Sequence, residues 1–161
     1  MGEFARWCQR ESYQLVEAYR DNREILCRRA RVTLESGGKF TSYETWKEAK
    51  RDGESGSHLF FTGVGGVLYP PNSLAPQTTD AAEFMRLCPN NDDIWLNWMA
   101  ALAGTRVRVV KPLKLLAWPG SQGVALWRIN RVQGENDPQL TAMTAAYGLP
   151  STLAQTPAMT G

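Results

Sequence analysis

Three glycines in four residues, Gly63, Gly65 and Gly66 of the string FTGVGGVLYPP, stand just ahead of two prolines. Backbone without side chains can approach a phosphate or a sugar closely; the same glycines can also serve only to supply positive φ in a tight loop. Further along, LCPNNDDIWLNWMA sets Asp92 and Asp93 side by side where apolar residues take up helical spacing. Adjacent acids at such a point act as a cap and a favourable dipole charge, worth about 0.3–1 kcal/mol, and in an acidic segment they can also supply a general base or collect a metal. Tyr69 and Trp118, beside proline and glycine turns, offer flat faces on which a pyranose can stack, whereas Trp95 and Trp98, one turn apart in an apolar run, read as core. Arg28, Arg29 and Arg31 carry guanidinium forks that suit a diphosphate or an acidic sugar, or else simply charge the surface. His58, the single histidine, reads as a surface or strand-edge residue in preference to a metal or phosphate ligand.

The elements that must position these residues follow from periodicity. ESYQLVEAYRDN, Glu11 to Asn22, places Leu15, Val16 and Tyr19 on one helical face, with Ser12 at its start. Ile25 to Leu34 alternates as one strand, with arginines on both faces. Tyr43 to Lys50 reads as a short helix, Arg51 to Ser57 as a polar loop, and His58 to Thr62 as a second strand that runs into the glycines and stops at Pro70 and Pro71. Thr79 or Asp80 caps a helix to Leu87, with Glu83 placed for a capping box. Asn91 or Asp92 caps the next, to Ala103, which is apolar around most of its circumference and must be buried. Strands are expected over Arg106–Val110, Leu113–Trp118 and Val124–Ile129, then a helix from an Asn136 cap to Tyr147. The alternation predicts a mixed α/β domain over residues 1–148, with a tail from 149 to 161 that lacks periodicity and is expected to be disordered.

Composition sets the outer bounds. The 161 residues suit a single domain, and 43% hydrophobic with 21% charged residues describes a chain able to build a core. A net charge of +2 does not favour a nucleic-acid partner, although both ends are basic and the centre acidic. Three cysteines at long spacings, Cys8, Cys27 and Cys88, offer neither a disulfide framework nor a CxxC motif, and fit reduced thiols. No apolar run approaches the length of a membrane helix and the first residues carry no signal-peptide core, so the expectation is a cytoplasmic protein without a transmembrane segment.

Taken together, GVGGVLYPP, CPNNDDIWL and NDPQL resemble the C-terminal, acceptor-side half of a bacterial glycosyltransferase-like family with the GT-A fold, along the chain from about Leu15 to about Tyr147. The resemblance implies an incomplete GT-A-like mixed sheet with flanking helices. It implies transfer from a nucleotide sugar to a glycan acceptor with inversion, with a carboxylate at the helix start as general base and the glycine loop lining the same cleft. Asp92 and Asp93 occupy the DD of that motif. If Asn91 or Asp92 caps the helix, Asp93 is the freer of the two to take a proton. The family's N-terminal βαβ half, with the DxD-type acids that hold Mn²⁺ or Mg²⁺ on the diphosphate, has no counterpart in these residues. The expectation is therefore a protein that binds no metal tightly, transfers no sugar by itself, and self-associates through an exposed sheet edge. The competing reading is a non-catalytic carbohydrate-binding or subunit-contacting module.

Overall fold

The computed structural model describes residues 3–20, 23–113, 134–151 and 153. Within them lie four α-helices and a mixed sheet accompanied by smaller ones. Helix α1 (Glu3–Ala18) starts well before the expected Glu11, in a stretch where Glu3, Ala5, Arg6, Gln9 and Arg10 are good helix formers; Ser12 is interior and caps nothing. Its Leu15 is buried against Leu26 and Val110.

The expected strand from Ile25 to Leu34 is two strands in two sheets. β1 (Ile25–Cys27) and β2 (Ala30–Val32) are separated at Arg28 and Arg29, whose backbone groups are claimed from outside. Arg28 N–H donates to Gly66 O at 3.3 Å, Arg28 O accepts from Leu113 N at 2.9 Å, and Arg29 O accepts from Thr62 N at 3.0 Å. Alternation of side chains cannot reveal such a change of partner, since both halves keep period two. Glu35–Ser36 (β3) and Lys39–Phe40 (β4) form a hairpin around Gly37 and Gly38, both at positive φ.

Only Tyr43–Thr45 of the expected helix is helical, as a single 3-10 turn. Buried Arg31 donates to the carbonyls of Tyr43 and Trp46 at 3.3 and 3.0 Å, its guanidinium lying 4.6 Å from the Tyr43 ring centroid. Tyr43 O also accepts from Trp46 N at 3.2 Å, so the single turn is closed and held by Arg31, and Lys47–Glu48 (β5) pairs with β2 in place of a further helical turn. Within the expected loop, Ser55–Gly56 forms β6. Leu59–Phe61 (β7), Val67–Leu68 (β8) and Val107–Val109 (β9) complete the strands of the described residues. The larger sheet runs β6-β9-β1-β8, with β1 parallel to β9 and the other pairs antiparallel; the smaller runs β5-β2-β7, all antiparallel. The expected strands Leu113–Trp118 and Val124–Ile129 fall, but for Leu113, outside the described residues.

Helix α2 (Ala81–Leu87) is capped by Asp80, whose Oδ1 accepts from Glu83 N at 3.0 Å. Helix α3 (Asp92–Leu102) is capped by Asn91, whose Oδ1 accepts from Ile94 N at 3.2 Å. Helix α4 (Asn136–Tyr147) has Glu135, not Asn136, at its cap position. Trp95, Trp98 and Met99 of α3 pack with Phe60, Trp46, Tyr43 and Met143 in an aromatic core, while Ile25, Cys27, Leu59, Phe61, Val107 and Val109 fill the space around the strands. Edge-on ring contacts such as Trp46–Phe60 at 5.3 Å and Phe40–Trp98 at 5.6 Å are the arrangement that aromatic quadrupoles favour. No helix of the described residues is long and apolar enough to cross a membrane.

Candidate functional site

Strand β7 delivers the glycine loop onto the N-terminus of α3. Phe61 closes the strand, and buried Thr62 follows it. Gly63 N–H then donates to Asp93 Oδ1 at 2.9 Å. Gly66 N–H closes the turn onto Gly63 O at 3.0 Å. Gly65 (φ +84°) and Gly66 (φ +98°) hold backbone conformations closed to most side chains. At Gly65 space is lacking as well: a Cβ would lie 2.8 Å from both Arg28 Cβ and Leu113 Cδ2. Gly63 has room, its Cβ position lying 3.4 Å from Asp93 Oδ1. Gly63 and Val64 at the head of the loop are exposed.

Asp92 and Asp93 divide along the helix circumference. With Asn91 as the cap, neither acid is needed to satisfy the first turn. Asp92 faces water, whereas Asp93 is half-buried against the loop. Burial raises the Asp93 pKa from 3.8 to about 6; the Gly63 N–H opposes that rise, Asp92 adds to it and the Arg29 guanidinium counters it. Tyr69 stands over the same carboxylates, its ring edge-on to Phe61 at 5.7 Å, and burial followed by the charges of Asp93 and Asp92 raises its hydroxyl pKa. Arg29 reaches the site from the link between β1 and β2. Its Nη1 donates to Thr62 Oγ1 at 3.3 Å, while Nε and Nη2 both meet Glu48 Oε1, at 2.9 and 2.5 Å.

Five of the residues singled out in the sequence thus come together: Gly63, Gly65, Gly66, Tyr69 and Asp93. Asp92 adjoins them on the solvent side, and Trp118 lies outside the described residues. Arg28 and Arg31 are buried rather than surface charges, Arg28 bonded to Gln14 and Arg31 to the Tyr43–Trp46 turn. His58 is half-buried, its ring occupying the space a Gly56 Cβ would need, and burial lowers its pKa. The side chains of NDPQL cross to neighbouring elements: Asn136 Oδ1 accepts from Asn91 Nδ2 at 2.7 Å, Asp137 Oδ1 from Tyr43 N at 2.8 Å, and Gln139 Oε1 from Asn90 N at 3.2 Å. Asn136 and Gln139 thereby tie the start of α4 to the start of α3, and Asp137 ties it to the 3-10 turn.

Sequence reasoning missed Arg29 as the member of its cluster that faces the acid, and missed Asn97 altogether. The available signal for Asn97 was a lone amide in an otherwise apolar helix, which must find buried partners. A separate cavity of about 380 Å³ opens between the turn after β4 and α4, lined by Phe40, Thr41, Leu140 and Thr141 among others; no residue of the glycine loop borders it. Among the described residues no group of three or more His, Cys, Asp or Glu side chains stands close enough to hold a metal ion. No protein-family model, curated protein or solved structure matches the chain.

Proposed function

We propose that this chain is the acceptor-side half of an inverting, nucleotide-sugar-dependent glycosyltransferase of GT-A type, in which Asp93 is the general base. One observation carries the reading: a half-buried carboxylate with a pKa near 6, held by a glycine-loop amide at a helix start. A base with that affinity is ionised at neutral pH yet far more basic than an exposed aspartate. Asp93 Oδ1 is engaged by Gly63, which leaves Oδ2 for the proton of an acceptor hydroxyl. As that proton moves to Oδ2, the hydroxyl oxygen attacks the anomeric carbon and the nucleoside diphosphate departs with the bonding pair. Tyr69, 37% exposed above the acids, supplies a face for a sugar ring, and the bare loop lets the acceptor approach.

The family resemblance assigns its divalent cation to the donor-binding half. Asp93 has one oxygen on the Gly63 N–H donor, with the Asp92 carboxylate and the Arg29 guanidinium as its neighbouring charges, and its other oxygen serves proton transfer.

The test has two arms. On a glycan array this chain is expected to retain a defined set of glycans, and Asp93→Asn is expected to retain the same set. Joined behind a donor-binding half, the wild-type chain is expected to support transfer, with Asp93→Asn about 10²- to 10⁴-fold slower. Failure to retain any glycan, or unaltered turnover by Asp93→Asn, would overturn the proposal. Glycan retention without transfer in any assembly would favour the binding-module reading.

A further inference from the structure

We infer that Asn97 is the positioning residue of this site: its carboxamide fastens the end of β7 to α3 and thereby fixes the Asp93 carboxylate against the Gly63 amide. The inference rests on the reading of Asp93 as the base. Asn97 lies one helical turn beyond Asp93 and is 1% exposed. Its Oδ1 accepts from Phe61 N at 3.0 Å, and its Nδ2 donates to Phe61 O at 2.9 Å and to Asp93 O at 2.7 Å. One side chain thus satisfies both backbone groups of a strand residue, as a neighbouring strand would, and adds a bond to the backbone of the acid itself.

The contacts close a ring. Phe61 is bonded to Asn97, Asn97 to Asp93, Asp93 to Gly63, and Gly63 is joined through Thr62 back to Phe61. Neither helix propensity nor packing explains an asparagine here, since leucine would be the better helix former and would suit the apolar surroundings. Leucine would leave the Phe61 N–H and C=O without partners and free the strand end to slide along α3. Arg28 N–H holds the far end of the glycine loop at Gly66 O and Arg29 O holds Thr62 N, both from the β1–β2 link; the Asn97 bridge is what ties the same strand end to α3, the helix that carries Asp93. The charged and titratable groups facing Asp93 are Asp92 on its own helix, Arg29 from the β1–β2 link, Tyr69 after β8 and Tyr43 from the 3-10 turn.

The experiment is an NMR pH titration of the isotope-labelled chain, following the Asp93 carboxyl carbon, the Gly63 amide and the Asn97 side-chain amide. In the wild type all three are expected to share one midpoint. In Asn97→Leu the Gly63 amide is expected to exchange at least about tenfold faster. The Asp93 midpoint should fall toward the ordinary range by about one pH unit, because water replaces the packed loop and burial is the largest cause of its elevation. Asn97→Asp is expected to restore slow Gly63 exchange only where the new carboxyl is protonated and can donate to Phe61 O. A folded Asn97→Leu with unchanged Asp93 midpoint and Gly63 exchange would overturn the inference. Should that variant not fold, wild-type Asn97 resonances indifferent to the Asp93 titration would overturn it equally. Loss of the base reading alone would look different: Asp93→Asn would turn over normally in the assembled transferase, while the shared midpoint in the wild-type chain persisted.

Discussion

Asp93→Asn should make this protein more stable at neutral pH, and only there. The amide is isosteric with the carboxylate, and its Oδ1 can still accept from Gly63 N–H. What it removes is the charge that burial disfavours. A carboxyl whose folded pKa is raised from 3.8 to about 6 holds its proton more tightly when folded. Its contribution to stability is therefore full below the unfolded value, is lost as pH rises between about 4 and about 6, and is constant above that. At about 1.36 kcal/mol per pH unit the ceiling on the loss is about 3 kcal/mol, and the partial exposure of Asp93 reduces the expectation to about 1–2 kcal/mol. Thermal unfolding of both proteins across about pH 4 to 8 measures it, each kcal/mol moving the midpoint by about 2–4 °C in a chain of this size. The difference between the two proteins also cancels the titration of every other group. The curves should converge near pH 4 and separate above pH 6, with the variant on top. A difference independent of pH would refute the reasoning, because it would return Asp93 to an ordinary carboxylate value and remove the observation on which the base assignment rests.

Gly65→Val should cost about 2–5 kcal/mol, the sum of about 1–2 for left-handed backbone strain and about 1–3 for overpacking against Arg28 and Leu113, read as a fall in the urea midpoint. It is therefore a stability variant as well as a cleft variant, and a melt within about 1 °C of wild type would contradict the clash. Asp137→Ala should lower stability by about 1–3 kcal/mol by leaving the Tyr43 N–H without its acceptor, with no change in the Asp93 titration. Cys27 and Cys88, both buried with thiols pushed up to about 12, should resist alkylation at neutral pH until the chain unfolds; mass spectrometry showing prompt labelling of either would count against the packing described for it.

Local signals in the sequence were legible wherever one residue controls one terminus. Asp80, Asn91 and the glycine after Tyr147 mark helix ends through contacts made within a few residues, and they stand where their types suggest. The misreadings share a different cause. The division of Ile25–Leu34 depends on Gly66, Thr62 and Leu113, and the truncation of the Tyr43 helix depends on Arg31. In each case a partner distant in sequence takes a backbone group that local pattern assigns to a neighbour. Asn136 was legible as a helix start but not in its role, because a bond to Asn91 leaves no trace in periodicity.

The placement of Asp93 against the glycine loop follows from four consecutive polar residues whose directions differ by geometry alone. In NNDD each residue turns about 100° from the last once the helix begins, so the two acids cannot face the same neighbour. Asn90 lends its N–H to Gln139 on α4. Asn91 caps α3 with its oxygen and meets Asn136 with its nitrogen, so the helix start is satisfied without either acid. Asp92, next around the turn, faces water. Asp93 turns toward β7 and meets a loop whose glycines leave backbone N–H groups as the nearest donors. A cap shifted by one residue would have directed Asp92 at the loop and Asp93 into the core. The asymmetry between two identical side chains thus originates in Asn91, and the same asparagine that ends the incoming chain selects which aspartate is held half-buried with its affinity for protons raised.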